Sequence, residues 1–257
     1  MKAVILAGGM GTRISEESHL RPKPMIEIGG RPILWHIMKI FSAQGVTEFV
    51  ICCGYKGNTI KEYFSHYALY HSDVTFDFRG GETVEICRSK TEPWRVTLVD
   101  TGLLTQTGGR LKRIEEYVAE APFFMTYGDG VVDVDLAAVA ERHRRMGAKV
   151  TMTLVQPEGR FGVAEVKEGR VTAFREKDKE DSGWVNGGFM MISPEALDLI
   201  EGDETVWEGE PLRRLAAAGE VAAFCHDGFW QCMDTMRDRQ KLEEIWKEGA
   251  PWKIWRD

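Results

Sequence analysis

Short apolar segments rich in β-branched residues alternate with helix-like segments along most of this chain. Residues 3–7 form the first strand candidate, a helical pattern runs from Pro32 to Gly45, and residues 48–54 form the next strand candidate. Strands that alternate with helices usually pair side by side in parallel, so the pattern predicts an α/β fold, a mostly parallel sheet flanked by helices. Residues 74–100 contain shorter alternating segments, which predict a small β excursion. Further helices are predicted over residues 58–68, 110–118 and near 196–200, and further strands over residues 123–127 and 150–155.

Composition limits the kinds of partner that this protein can have. The chain has 257 residues, of which 43% are apolar, and no repeat or linker divides it. Residues 1–257 are therefore predicted to form a single domain. The formal net charge of -7 argues against a nucleic acid or an anionic membrane as partner. No segment resembles a membrane span or secretory signal, and the five cysteines suggest no disulfide framework, so we expect a cytoplasmic protein.

A glycine-rich segment, AGGMGTR, occupies residues 7–13 directly after the first predicted strand. Ligands of open α/β sheets bind at this end of the strands, and glycines allow backbone N–H groups to approach phosphate oxygens. The segment lacks the ending of a Walker loop, and Ile14 replaces the third glycine of a dinucleotide fingerprint. By itself it is equally compatible with a plain glycine-rich turn.

Three cations follow the glycines closely. Arg13, Arg21 and Lys23 lie within a short stretch, and Pro22 and Pro24 restrict the backbone around Lys23. Positive side chains beside exposed backbone amides suit a polyphosphate ligand. The segment therefore favours a phosphate-binding site over a plain turn.

These motifs together resemble the sugar-nucleotide pyrophosphorylase family, the nucleotidyl transferases with a Rossmann-like fold. The resemblance covers nearly the whole chain and rests on motifs that occur in the family's order: AGGMGTR, RPKPM, GDG at 128–130, REK at 175–177, NGG at 186–188 and MDT at 233–235. It implies a reaction in which a sugar 1-phosphate attacks a nucleoside triphosphate and pyrophosphate leaves. That attack needs no general base, because the phosphate is already ionised at neutral pH; positioning and charge neutralisation remain to be supplied.

The resemblance also implies the roles of particular residues. Arg13 and Lys23 would be catalytic, and Asp129 and Asp234 would hold Mg²⁺, which prefers oxygen ligands. The sugar phosphate would contact Glu176, Lys177, Asn186 and Gly187. The nucleotide would contact Leu6, Ala7, Gly8, Gly9, Gly11, Thr12, Arg13, Lys23, Thr107, Gly109, Arg110 and Asp129.

Several of these residues also have plainer interpretations. Asp129 between two glycines suits an ordinary turn, and Asp234 suits the N-cap of the helix that follows it. Arg110 is equally compatible with a position on the exposed surface of a helix. Glu176 and Lys177 belong to a charged stretch that is typical of a solvated loop, and Asp178 replaces the proline that the family commonly has there.

Within the family, RISEES, TGGRLKR and FWQCMDT resemble the members that use CTP and glucose 1-phosphate. The alternatives are UTP or dTTP as the nucleotide, and a nucleotide-sugar sensor without catalytic activity. The resemblance further implies a homo-oligomer. Trp246, Trp252 and Trp255 lie in a short polar segment, which predicts that they pack on the core or on another subunit.

Overall fold

A computed structural model describes residues 1–10, 21–81, 83–156, 163–175 and 183–256 of the chain. Its strands and helices are, in chain order, β1 (Lys2–Leu6), a 3₁₀ helix (Lys23–Met25), β2 (Glu27–Ile28), β3 (Arg31–Pro32), α1 (Ile33–Ala43), β4 (Glu48–Cys53), α2 (Gly57–Ser65), α3 (Tyr67–Tyr70), β5 (Ser72–Asp77), β6 (Thr83–Ser89), β7 (Arg95–Asp100), α4 (Thr107–Arg113), α5 (Glu115–Val118), β8 (Phe123–Tyr127), β9 (Gly130–Val132), α6 (Leu136–Met146), β10 (Val150–Val155), β11 (Val163–Lys167), β12 (Arg170–Arg175), β13 (Val185–Asn186), β14 (Met190–Ile192), a second 3₁₀ helix (Pro194–Leu199), α7 (Glu210–Ala217), β15 (Val221–Cys225), β16 (Trp230–Cys232) and α8 (Met236–Lys247).

The central sheet has the strand order β11-β12-β15-β10-β14-β8-β1-β4-β7, and β13 pairs with β10. Strands β8, β1, β4 and β7 are parallel, as are β10 and β15. Antiparallel β14 lies between these two groups. The predicted α/β class and mostly parallel sheet are confirmed.

Two apolar cores cover the two faces of the sheet. One contains the buried face of α1, including Ile37 and Phe41, and the other contains Leu111 of α4 and Trp207. The run KAVIL of β1 supplies alternate residues to both cores, which explains its unbroken apolar sequence. Within the described ranges, no helix is long and apolar enough to cross a membrane.

The structure corrects four expected elements. The helix expected over residues 110–118 begins earlier, at Thr107, and is interrupted at Ile114, between α4 and α5. Only β5 and β6 form the β excursion, as a two-stranded hairpin, whereas β7 belongs to the central sheet through its pairing with β4. The helix expected over residues 58–68 is interrupted at His66, between α2 and α3. The helix expected near residues 196–200 is a 3₁₀ helix, Pro194–Leu199.

Candidate active site

A cleft of about 260 Å³ opens at the carboxyl ends of the parallel strands. Its walls come from the end of β1, the first 3₁₀ helix, the start of α4 and the loop after β8. The lining residues are Leu6, Ala7, Gly8, Gly9, Lys23, Pro24, Thr105, Gln106, Thr107, Arg110, Tyr127, Gly128 and Asp129. This is the edge at which open α/β sheets bind their ligands.

Arg110 holds the ends of three strands together behind this cleft. Its side chain donates hydrogen bonds to the carbonyls of Gly8 and Cys53, at 3.0 and 3.2 Å, and to that of Gly102 at 2.8 Å. Arg110 is only 4% exposed, so its placement on a helix surface is wrong. Burial lowers the pKa of this guanidinium from its ordinary value. A Cβ at Gly8 would lie 2.1 Å from its Nη1, so this position requires glycine.

Lys23 joins the two aspartates that were expected to bind metal. Its Nζ lies 2.7 Å from Asp129 Oδ2 and 2.6 Å from Asp234 Oδ1. Burial alone would lower the pKa of Lys23, but the charge of Asp129 and hydrogen bonds to both carboxylates outweigh it and raise that pKa. Lys23 is therefore a permanent cation at neutral pH.

A short antiparallel pair explains how two aspartates so distant in sequence meet. Strand β9 follows Asp129, strand β16 precedes Asp234, and Gly130 pairs with Cys232. The Met233 N–H then donates to the Asp129 carbonyl at 2.8 Å. Asp234 is not the N-cap of α8; Thr235 has that position and forms a capping box with Asp238.

The donor set at Lys23 fits magnesium. Mg²⁺ is usually held by one or two carboxylates together with substrate phosphates. Asp129 and Asp234 supply two carboxylates that converge on one point already occupied by a cation, the Lys23 ammonium. Elsewhere in the described part of the chain, no group of three or more acidic, histidine or cysteine side chains is arranged to hold a metal ion.

A hydrogen-bonded group was not foreseen from the sequence. Glu208 accepts hydrogen bonds from Thr107 Oγ1 at 2.6 Å and from the Tyr127 hydroxyl. Asn186 Nδ2 donates to that same hydroxyl at 3.1 Å. Burial, followed by the charge of Glu208, raises the pKa of Tyr127. Tyr127 directly precedes the GDG motif, which is the one signal that could have identified it.

The other expected site residues fall into three groups. Asn186 and Gly187 lie beside the cleft, where Trp230 Nε1 donates to the Gly187 carbonyl at 2.8 Å. Gly109 packs against the backbone of Asp203 and does not line the cleft. Gly11, Thr12, Arg13, Glu176 and Lys177 lie outside the described residues.

Comparison with known proteins identifies the family. The family model described as "Nucleotidyl transferase" matches residues 2–235. The chain therefore belongs to the nucleotidyl transferase family, a family of enzymes. It is 55% identical to a glucose-1-phosphate cytidylyltransferase of Salmonella typhimurium, over 99% of this chain and 100% of that protein.

Two further matches are more distant. A probable glucose-1-phosphate cytidylyltransferase of Bacillus subtilis is 42% identical, over 99% of this chain and 100% of that one. The crystal structure of HddC from Yersinia pseudotuberculosis matches the fold with a TM-score of 0.77 and 22% identity, covering 95% of this chain and 99% of that one. The expected Rossmann-like nucleotidyl transferase fold is thereby confirmed.

Proposed function

We propose that this chain transfers CMP from CTP to glucose 1-phosphate and so produces CDP-glucose and pyrophosphate. The observation that carries this proposal is the convergence of Lys23, Asp129 and Asp234 beside the glycine-lined cleft. The names of relatives that are 55% and 42% identical over nearly the whole chain support the choice of substrates.

The reaction is a displacement at the α-phosphorus of the nucleotide. A phosphate oxygen of glucose 1-phosphate attacks that phosphorus and forms a new P–O bond, while the bond to the β-phosphate breaks and its electron pair leaves with pyrophosphate. The attacking oxygen is already negative, so the protein needs no base. Its contribution is to align the two phosphates and to neutralise their charge.

Different residues bind the two substrates of the proposed reaction. Backbone N–H groups of Gly8 and Gly9 face the triphosphate, and Lys23 supplies positive charge between the nucleotide and the carboxylates. Arg13 adds a second cation on the triphosphate. On the acceptor side, Lys177 holds the sugar phosphate as a point charge and Glu176 accepts hydrogen bonds from sugar hydroxyls.

Asp129 and Asp234 would hold Mg²⁺ when the nucleotide is bound. The ion would neutralise triphosphate charge and stabilise the leaving pyrophosphate. Lys23 must then exchange one or both of its carboxylate contacts for phosphate oxygens. The 3₁₀ helix that carries Lys23 is stiffened by Pro22 and Pro24, so this exchange requires movement of the side chain and not of the backbone.

We further propose that the protein is a homo-oligomer whose copies meet at the β5–β6 hairpin. One hairpin face carries Phe76, Phe78, Val84 and Ile86, which are 52, 73, 53 and 45% exposed. A two-stranded hairpin is marginally stable alone, and exposed apolar patches mark contact surfaces. Asp77 and Arg79 form an ion pair with each other at 2.8 Å, so these two charges are already balanced within one copy.

Pyrophosphate release from a panel of substrate pairs tests the proposed reaction. CTP, UTP, dTTP, ATP and GTP are each combined with glucose 1-phosphate, galactose 1-phosphate or mannose 1-phosphate, with Mg²⁺ present. We expect the highest kcat/KM for CTP with glucose 1-phosphate. A clear preference for another pair would refute the substrates, and no release with any pair would favour a sensor.

A further inference from the structure

Glu208 lies at the centre of a hydrogen-bond chain that crosses the inner wall of the cleft. Its Oε2 accepts from Thr107 Oγ1 at 2.6 Å, and its Oε1 accepts from the Tyr127 hydroxyl. Asn186 Nδ2 donates to the same hydroxyl at 3.1 Å. Thr107 and Tyr127 line the cleft, so one carboxylate connects the nucleotide wall with the β13 segment.

Each hydrogen bond that connects Thr107, Glu208, Tyr127 and Asn186 has a defined donor and a defined acceptor. Thr107 Oγ1 accepts from the Trp207 N–H at 2.9 Å, and its own proton therefore points to Glu208. Asn186 Oδ1 accepts from the Gly188 N–H at 2.8 Å, so its Nδ2 faces Tyr127. Each oxygen of the Glu208 carboxyl group therefore acts as the acceptor for one hydroxyl.

The loop that carries Glu208 is held firmly in place. The indole of Trp207 is fully buried in the core next to α7, and Leu212 N–H donates to the Trp207 carbonyl at 3.3 Å. Two O–H donors and a fixed backbone give this carboxylate a single orientation.

We propose that Glu208 is a positioning residue for the sugar 1-phosphate. Through the Tyr127 hydroxyl it fixes the Asn186 amide in the orientation that receives the hydroxyls of the sugar. This inference rests on the proposed function, in which Asn186 and Gly187 line the sugar side of the site. Glu208 itself touches no reacting atom. Glutamine at this position keeps an amide oxygen that still accepts from Thr107 on the nucleotide side, so loss of the bond to Tyr127 should weaken binding of the sugar phosphate more than binding of the nucleotide.

The test compares Glu208→Gln, Tyr127→Phe and the double variant with the wild type. Tyr117→Phe is the matched control, because Tyr117 is also half-buried but lies on α5, away from the cleft. For each protein, KM for glucose 1-phosphate and KM for CTP are measured from pyrophosphate release, and the melting temperature is recorded.

We expect each single variant to raise KM for glucose 1-phosphate by roughly tenfold, the upper range for one neutral hydrogen bond, and KM for CTP by less than about twofold. Because both substitutions break the same link, the double variant should resemble the single ones. Tyr117→Phe should leave both KM values unchanged. Tyr127→Phe retains the aromatic ring and provides the test if Glu208→Gln does not fold.

Two different failures are distinguishable. Wild-type protein that releases no pyrophosphate from CTP and glucose 1-phosphate would overturn the proposed function, and this inference with it. Wild-type activity combined with equal changes in both KM values, or with a lower melting temperature and unchanged KM values, would overturn the positioning role alone.

Discussion

Asp129 and Asp234 accept hydrogen bonds from one ammonium group, and their common feature is negative charge at one point of the cleft. Replacing either by asparagine preserves size and an acceptor oxygen but removes charge. We expect turnover to fall by about a hundredfold or more, since a bound dication contributes several kcal/mol to transition-state stabilisation. The melting temperature should change little, because Lys23 keeps one carboxylate partner.

Pyrophosphate release as a function of Mg²⁺ concentration, measured beside thermal unfolding, checks this prediction. Asp135→Asn is the control: Asp135 caps α6 through the Ala138 N–H, and asparagine caps equally well. Normal activity of either variant at low Mg²⁺, or full wild-type activity in excess chelator, would contradict the two-carboxylate site.

At this scale the sequence predicts residues that belong to recognisable motifs and misses those that act through tertiary contacts. Asp129 and Lys23 were identifiable from GDG and RPKPM, and the structure brings them together. Glu208 lies in the acidic stretch EGDETVWEGE, which has the composition of a solvated loop. Its contacts depend on burial of Trp207 and on the distant Thr107 and Tyr127, and no local pattern encodes them.

At the scale of elements, helix α1 is joined to the C-terminal segment through His36. His36 Nε2 donates to the Ile28 carbonyl at 2.8 Å, and Nδ1 accepts from Trp252 Nε1 at 3.4 Å, so both nitrogens are used by the neutral ring. Burial lowers the pKa of His36 to about 4 from 6.5. Trp246, Trp252 and Trp255 pack around this ring, which confirms that the tryptophans cover the core.

The depressed pKa predicts how stability depends on pH. The unfolded chain binds a proton at His36 below pH 6.5, whereas the folded protein does so only near pH 4. The contribution of neutral His36 to the free energy of unfolding is therefore complete above pH 6.5 and is lost as pH falls to 4, by about 3 kcal/mol in total. Urea unfolding across this range should show a smaller pH dependence for His36→Gln than for wild type. His66→Gln, on the surface at the end of α2, is the control, and equal slopes in both variants would contradict the prediction.

Hydrophobic periodicity correctly predicted those elements whose apolar pattern depends only on residues close together in sequence. Strands β1, β4, β8 and β10 and helix α1 fall within a few residues of their expected positions. The pairing of β7 with β4 and the insertion of antiparallel β14 beside β8 depend on contacts between distant segments. The break at His66 has no signal in the sequence, since the apolar spacing continues across it, and Tyr67 just beyond it contacts Trp35 and Glu92 of distant segments.

For the whole molecule, the proposed assembly through the β5–β6 hairpin predicts that substitutions on the hairpin lower the mass of the protein particle in solution. Phe76→Ser with Phe78→Ser should shift the protein toward monomer in light scattering or sedimentation, because it removes two large exposed apolar contacts. Ile254→Ser removes an exposed apolar residue outside the hairpin, 41% exposed, and should leave the mass unchanged. A wild-type monomer at micromolar concentration, or an oligomer that survives the double substitution, would contradict the proposed interface.

The guanidinium behind the cleft also restricts the paths along which this sequence can evolve. A Cβ at Gly54 would lie 2.5 Å from Arg110 Nη1, and one at Gly8 would lie closer still, so both glycines are required by the same side chain. Replacing Arg110 by a smaller residue would remove the nearest clash at Gly8, whereas a Cβ at Gly54 would still lie 2.7 Å from the Gly8 carbonyl oxygen. The order of substitutions is therefore constrained at Gly8, where the arginine must be lost before a larger residue can appear, while Gly54 remains restricted by backbone that no substitution of Arg110 removes.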